Sequence, residues 1–210
     1  MLRLELPVAL CLTVLALVGL CTGVCLAQEP AALEAAEATA GIEELSRQIE
    51  NDQDNVELLI DLGNLYYETN MLDQALSTYE RAVEVDSTHV GVRLNLGALL
   101  ADMGRFERSI EELTRALEID PSDVLVASTL GSAYYGYMQY PQAIDMYRHA
   151  LAIDPQNVEA HFNLGVAFAD VQMFDEAIRE WEKVIEIDAE SRAAGISREN
   201  IKMIREFRGE

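Results

Sequence analysis

Four glycines, Gly63, Gly97, Gly131 and Gly165, recur at 34-residue intervals, and that period constrains the fold more than any other feature of the chain. A leucine precedes each one (Leu62, Leu96, Leu130, Leu164), and Tyr66, Leu100, Tyr134 or Phe168 follows three residues later. Ala75, Ser109, Ala143 and Ala177 form the next column, then Tyr79, Leu113, Tyr147 and Trp181, then Ala82, Ala116, Ala150 and Val184. Each copy closes on an aliphatic-Asp pair: Val85-Asp86, Ile119-Asp120, Ile153-Asp154 and Ile187-Asp188. A period of this length means a stack of identical supersecondary units, each unable to bury its apolar face alone.

Within one copy the Leu-Gly pair and the following aromatic lie at i, i+1 and i+4, on one helical face. The small-large-small series of the second segment, Ala143, Tyr147 and Ala150 for example, sets an aromatic knob between two shallow positions. Each unit is therefore expected to be two antiparallel helices. A glycine in mid-helix costs about 1 kcal/mol relative to alanine, so its recurrence predicts close approach of a neighbouring helix backbone. Met103-Gly104-Arg105 and Tyr140-Pro141 mark turns between the helices, and Pro121 and Pro155 are expected to stop the second ones.

These residues resemble the tetratricopeptide repeat: Leu-Gly-x-x-Tyr, then Ala-x-x-x-Phe/Tyr-x-x-Ala, then Pro. The resemblance implies an all-α fold, a right-handed α-solenoid of antiparallel helix pairs, with repeats at 56–89, 90–123, 124–157 and 158–189. The large first slot of the motif holds Leu59, Arg93, Ala127 and His161, Ser109 replaces an alanine, and Ser87 and Ala189 replace the closing proline. These departures are expected to weaken particular packing contacts.

Residues 41–55 fit the second helix of a preceding half-repeat, since Gly41 and Leu45 stand one period before Ala75 and Tyr79. Residues 190–210, with Ala193, Ile196, Ile201, Ile204 and Phe207 in helical spacing, are expected to form a C-terminal capping helix. That segment carries Arg192, Arg198, Lys202, Arg205 and Arg208 against three acids. Residues 28–40 are expected to be a short linker or a frayed helix.

No charged side chain occurs from Leu6 to Ala27. Residues 1–27 fit an export signal, either cleaved after Cys25-Leu26-Ala27 or retained as a membrane anchor about 20 apolar residues long. Both forms place the rest of the chain outside the cytoplasm, periplasmic or secreted after cleavage or tethered to the inner membrane, and the Asp-Pro repeat endings look bacterial. Cys11, Cys21 and Cys25 all lie in this segment, so the remainder has no cysteine for a disulfide or a thiol nucleophile.

Fifteen Lys and Arg against 37 Asp and Glu give a net charge of −22. A surface that acidic repels phosphate backbones, which argues against a nucleic-acid partner, and contact with membrane is expected only through the N-terminal segment. His89, His149 and His161 fall in a loop, a second helix and a first helix, with no spacing that brings two to one metal. Neither a Gly-x-Ser-x-Gly nor a His-Glu-x-x-His motif nor a phosphate loop occurs, and no enzyme activity, metal or cofactor is expected.

The resemblance implies that first helices line a concave groove. The positions facing it are Glu57, Ile60, Asn64 and Tyr67; Leu94, Asn95 and Asp102; Leu125, Ser128 and Tyr135; and Glu159, Phe162, Asn163 and Asp170. The aromatics and aliphatics would anchor apolar side chains, the asparagines would bond an extended backbone, and the acids would favour a basic segment. A carboxylate clamp of the kind found in one branch of the family is not expected, because the matching slots Ile60, Asn64, Asn95, Leu125 and Thr129 contain no cation. The expected function is a protein-interaction scaffold in the bacterial envelope that holds a peptide or helix segment. The alternative is a structural protein that oligomerises with copies of itself through its terminal helices.

Overall fold

A computed structural model describes residues 36–209, which form ten helices and no strand. The expected export segment, residues 1–27, its three cysteines, and most of the expected linker lie outside the described residues. Helix α1 runs over residues 36–51, so residues 36–40 join the helix, and 52–55 form the turn that follows. Its C-terminal end stands one 34-residue period before that of α3, as the second helix of a pair would.

Four pairs follow: α2 (Val56–Glu68) with α3 (Leu72–Val85), α4 (Val90–Asp102) with α5 (Phe106–Ile119), α6 (Val124–Gly136) with α7 (Tyr140–Ile153), and α8 (Val158–Asp170) with α9 (Phe174–Ile187). Helix α10 (Arg192–Arg208) closes the array against α9 and α8. It starts one period after α8, in the position of a further first helix.

Every first helix begins on a polar cap in one column: Asn55, His89, Asp123, Asn157 and Ser191, spaced by 34. Each accepts a hydrogen bond from the backbone N–H three residues on, which satisfies one of the donors a helix start leaves unpaired. Second helices end on Asp86, Asp120, Asp154 and Asp188. The Oδ1 of each accepts from the backbone N–H two residues later, an Asx turn. The aspartate, not the following proline, is therefore what ends these helices: α3 and α9 stop at the same register position with Ser87 and Ala189 in the proline slot.

The core runs as a seam between the paired helices. Ala75, Ala116, Ala143, Ala150 and Ala177 are fully buried, and Tyr79, Leu113, Tyr147 and Trp181 pack among them. The recurrent glycines lie under those large side chains. A Cβ on Gly97 would come 2.5 Å from Leu113 Cγ, one on Gly131 would come 2.7 Å from Tyr147 Cε1, and one on Gly165 would come 2.5 Å from Trp181 Nε1. The neighbour that demands glycine is thus a side chain sixteen residues on, and not the helix backbone expected from the sequence.

Polar departures from the motif are accommodated rather than weakening. The Ser109 hydroxyl donates to the Gly97 carbonyl at 2.7 Å. Arg93, buried, donates through Nε to the Ser87 carbonyl at 2.8 Å and through Nη1 to Glu112. His161 sits in the same slot one two-repeat step later, with Nδ1 2.7 Å from Glu180 and Nε2 3.1 Å from the Pro155 carbonyl. Both pairs span nineteen residues and tie a first helix to its own second helix.

Candidate concave interaction face

Helix α4 touches α6, and α6 touches α8, whereas the second helices make no comparable contact with one another. First helices therefore lie on the inside of the curve, and their free side is the candidate site.

The fourteen positions expected there differ in accessibility. Glu57, Tyr67, Asp102, Leu125, Glu159 and Asp170 are exposed, Leu125 at 58%. Ile60, Asn64, Leu94, Asn95, Tyr135, Phe162 and Asn163 are half-buried. Ser128 is 7% exposed and does not belong to a free surface, because its small side chain sits low between the first helices on either side. Its hydroxyl has no hydrogen-bond partner among the described residues.

Two of the asparagines are engaged within the chain. Asn64 Oδ1 accepts from the Tyr79 hydroxyl at 2.6 Å and from Asn95 Nδ2 at 3.1 Å. Their amides are oriented by the core aromatic below them, so the expected role in bonding a partner backbone falls to what remains of each group. The same device recurs where Ser132 meets the Tyr147 hydroxyl at 3.2 Å, and where Trp181 Nε1 donates to the Phe162 carbonyl at 3.2 Å. Each buried aromatic thus sends its polar tip to the first helix. Burial pushes the Tyr79 hydroxyl up to about 12, and it raises that of Tyr147 as well.

The sequence did not reveal a pair of bonds between neighbouring repeats. The Tyr67 hydroxyl donates to Asp102 Oδ2 at 2.5 Å, and the Tyr135 hydroxyl donates to Asp170 Oδ2 at 2.5 Å. Both join one first helix to the next across 35 residues, and they stand two repeats apart. Donation to the carboxylate raises both tyrosines above their ordinary range. The signal available in the sequence was the alternation itself: tyrosine at 67 and 135 with alanine at 101 and 169, and aspartate at 102 and 170.

The acids are spread over both sides of the helix pairs, but the cations are not. Helices α2, α4, α6 and α8 carry Glu57, Asp61, Glu68, Asp102, Glu159 and Asp170 against a single arginine, Arg93, whose guanidinium is buried and paired, and His161, likewise paired. The remaining described cations lie on α1, the second helices, the turn at Arg105, and α10. Among the described residues no group of three or more His, Cys, Asp or Glu could hold a metal ion.

Family models described as tetratricopeptide repeat match residues 71–132 and 158–191, and one described as TPR repeat matches residues 139–172. Together they cover more than half of the 210-residue chain. No curated protein matches. Among solved structures, MamA is 24% identical with a TM-score of 0.67 over 70% of this chain and 86% of its own. MamA from Desulfovibrio magneticus RS-1 is 19% identical with a TM-score of 0.69 over 76% and 90%. YrrB, described as a TPR protein with an unusual peptide-binding site, is 19% identical with a TM-score of 0.66 over 79% and 86%. At these identities the likeness is one of fold.

Proposed function

The chain belongs to the tetratricopeptide repeat family, and from that premise we propose that it is a non-enzymatic scaffold of the bacterial cell envelope that holds a basic segment of a partner protein against the free side of its first helices. The observation that carries this is the placement of the cations: the first helices carry six carboxylates with exposed Tyr67 and Leu125, and among the described residues the cations on these helices are buried and paired. An uncompensated acidic face speeds the encounter with a cationic segment, and the apolar side chains between the acids supply anchoring area. YrrB offers a parallel for peptide binding on this fold. The uncharged run from Leu6 to Ala27 supports export, with the repeats outside the cytoplasm.

The test is affinity capture from envelope extract, comparing the wild-type chain with a Glu57→Lys, Leu125→Ala, Glu159→Lys variant. All three side chains are exposed, so the fold is retained. The variant is expected to lose the captured partner. An identical captured set would place the contact elsewhere.

A second reading, self-association through the terminal helices, is favoured by Phe207, 79% exposed on α10 beside its arginines, and by the acids Glu43, Glu44 and Glu50 on α1. Light scattering over a concentration series separates the two, since a monomer at high micromolar concentration removes self-association.

A further inference from the structure

Asp102 and Asp170 each use one carboxylate oxygen to accept a tyrosine hydroxyl from the preceding first helix, and the other oxygen, Oδ1, has no partner among the described residues. Each site therefore combines an aromatic ring, a fixed carboxylate and an unused acceptor, all on the free side of the first helices. Among the described residues neither carboxylate forms an ion pair, so its charge is uncompensated there. A guanidinium or ammonium group is the ligand that combination suits: it pairs with the carboxylate and lies against the ring.

The arrangement occurs twice, and packing prevents it at the interface in between. At the α4–α6 boundary the tyrosine slot holds Ala101 and the acid slot holds Gly136. The Phe106 ring lies against Gly136, where a Cβ would come 2.5 Å from Phe106 Cε1, so no side chain can stand there. At the α8–α10 boundary the slots hold Ala169 and Ile204, the latter buried. The two stations are thus separated by two repeats. First helices that touch stand about 10 Å apart, which puts the stations about 20 Å apart. An extended chain covers that distance in about six residues, at about 3.3 Å each.

We infer that the concave face is built as two cation stations, Tyr67 with Asp102 and Tyr135 with Asp170, and that it takes an extended peptide bearing two basic side chains about six residues apart. This rests on the groove reading given above and adds to it a spacing rule. Binding at both stations at once makes the second contact intramolecular, so the spacing governs affinity more than the total charge does.

The test uses calorimetry on the full chain with two acetylated, amidated peptides of identical composition, about twelve residues of Ala, Gln and Ser with two arginines. One has the arginines about six residues apart and the other about three. The wider peptide is expected to bind about tenfold more tightly. The Asp102→Asn, Asp170→Asn variant, in which the amide oxygen still accepts the tyrosine hydroxyl and the helix content is unchanged, is expected to bind both peptides equally and weakly. Either single substitution is expected to abolish the preference. Equal affinity of the wild type for the two peptides, no binding of either, or a preference surviving in the double variant would overturn the station model. The Glu57→Lys, Leu125→Ala, Glu159→Lys variant distinguishes the two failures. If it weakens binding that shows no spacing rule, the groove stands without the stations; if it leaves binding intact, the groove reading falls as well.

Discussion

His161 presents both ring nitrogens to acceptors, Nδ1 to Glu180 at 2.7 Å and Nε2 to the Pro155 carbonyl at 3.1 Å, the same relation that Arg93 holds to Glu112 and the Ser87 carbonyl. Two acceptors require two N–H donors, so the imidazolium is the form that satisfies the site. Glu180 raises the His161 pKa, against burial and the Lys183 charge, which lower it.

Stability should therefore depend on pH through this pair. The folded-state pKa lies above the unfolded value of about 6.5, so the stabilisation is fully present below that value and is lost as pH rises through the folded one. In urea unfolding, the advantage of wild type over His161→Gln is expected to be larger at about pH 6 than at about pH 9. An equal advantage at both would mean that the neutral ring does the same work.

Arg93 is the permanently charged version of that clamp, and both partners are largely buried, at 7% and 13% side-chain exposure. Arg93→Met strands Glu112 in the interior and should cost about 3 kcal/mol, near the low end for a broken buried pair because Arg115 also reaches Glu112 at 3.5 Å. Arg93→Met with Glu112→Met should recover most of the loss, since repeat three already places Ala127 and Met146 in these slots. Denaturant midpoints of the two variants measure the difference.

Gly131→Ala should destabilise the array by about 1–3 kcal/mol, although alanine is the better helix former by about 1 kcal/mol. The new methyl would lie 2.7 Å from Tyr147 Cε1, on a ring that is 2% exposed and has nowhere to go. A thermal midpoint at or above that of wild type would contradict the packing role assigned to this column.

Met138 has a φ of 60°, a left-handed conformation that a side chain rarely adopts, and is 76% exposed. Gly104 fills the same register position one repeat earlier, with φ 72°. Met138→Gly should therefore raise stability by about 1 kcal/mol, read as a higher denaturant midpoint at unchanged slope.

The repeat frame was legible because each column follows from local sequence. Leu-Gly-x-x-Tyr puts three residues on one helical stripe whatever surrounds it, and the closing aspartate turns the chain through its own side chain. The cap column from Asn55 to Ser191 was equally present in the letters, since a polar residue every 34 positions before an apolar run marks a helix start. The reason for the glycines was not legible, because the ring that covers Gly131 comes from Tyr147 on another helix and only the crossing of the two brings them together.

The candidate site divides along the same line. Which residue types stand on the first helices followed from the 34-residue register, but their partners did not. Asn64 looked free and is held by Tyr79 and Asn95; Ser128 looked exposed and is covered; Tyr67 and Asp102 looked like separate groove residues and are one hydrogen-bonded unit.

By itself the sequence determined the helix pairs, their number within the array and the acidic balance, because periodicity, caps and formal charge are properties of neighbours along the chain. Tertiary structure alone decided which charges are spent on one another and which remain for a partner. That depends on distances across helix interfaces, and a bond such as Tyr135 to Asp170 exists only after two repeats have docked.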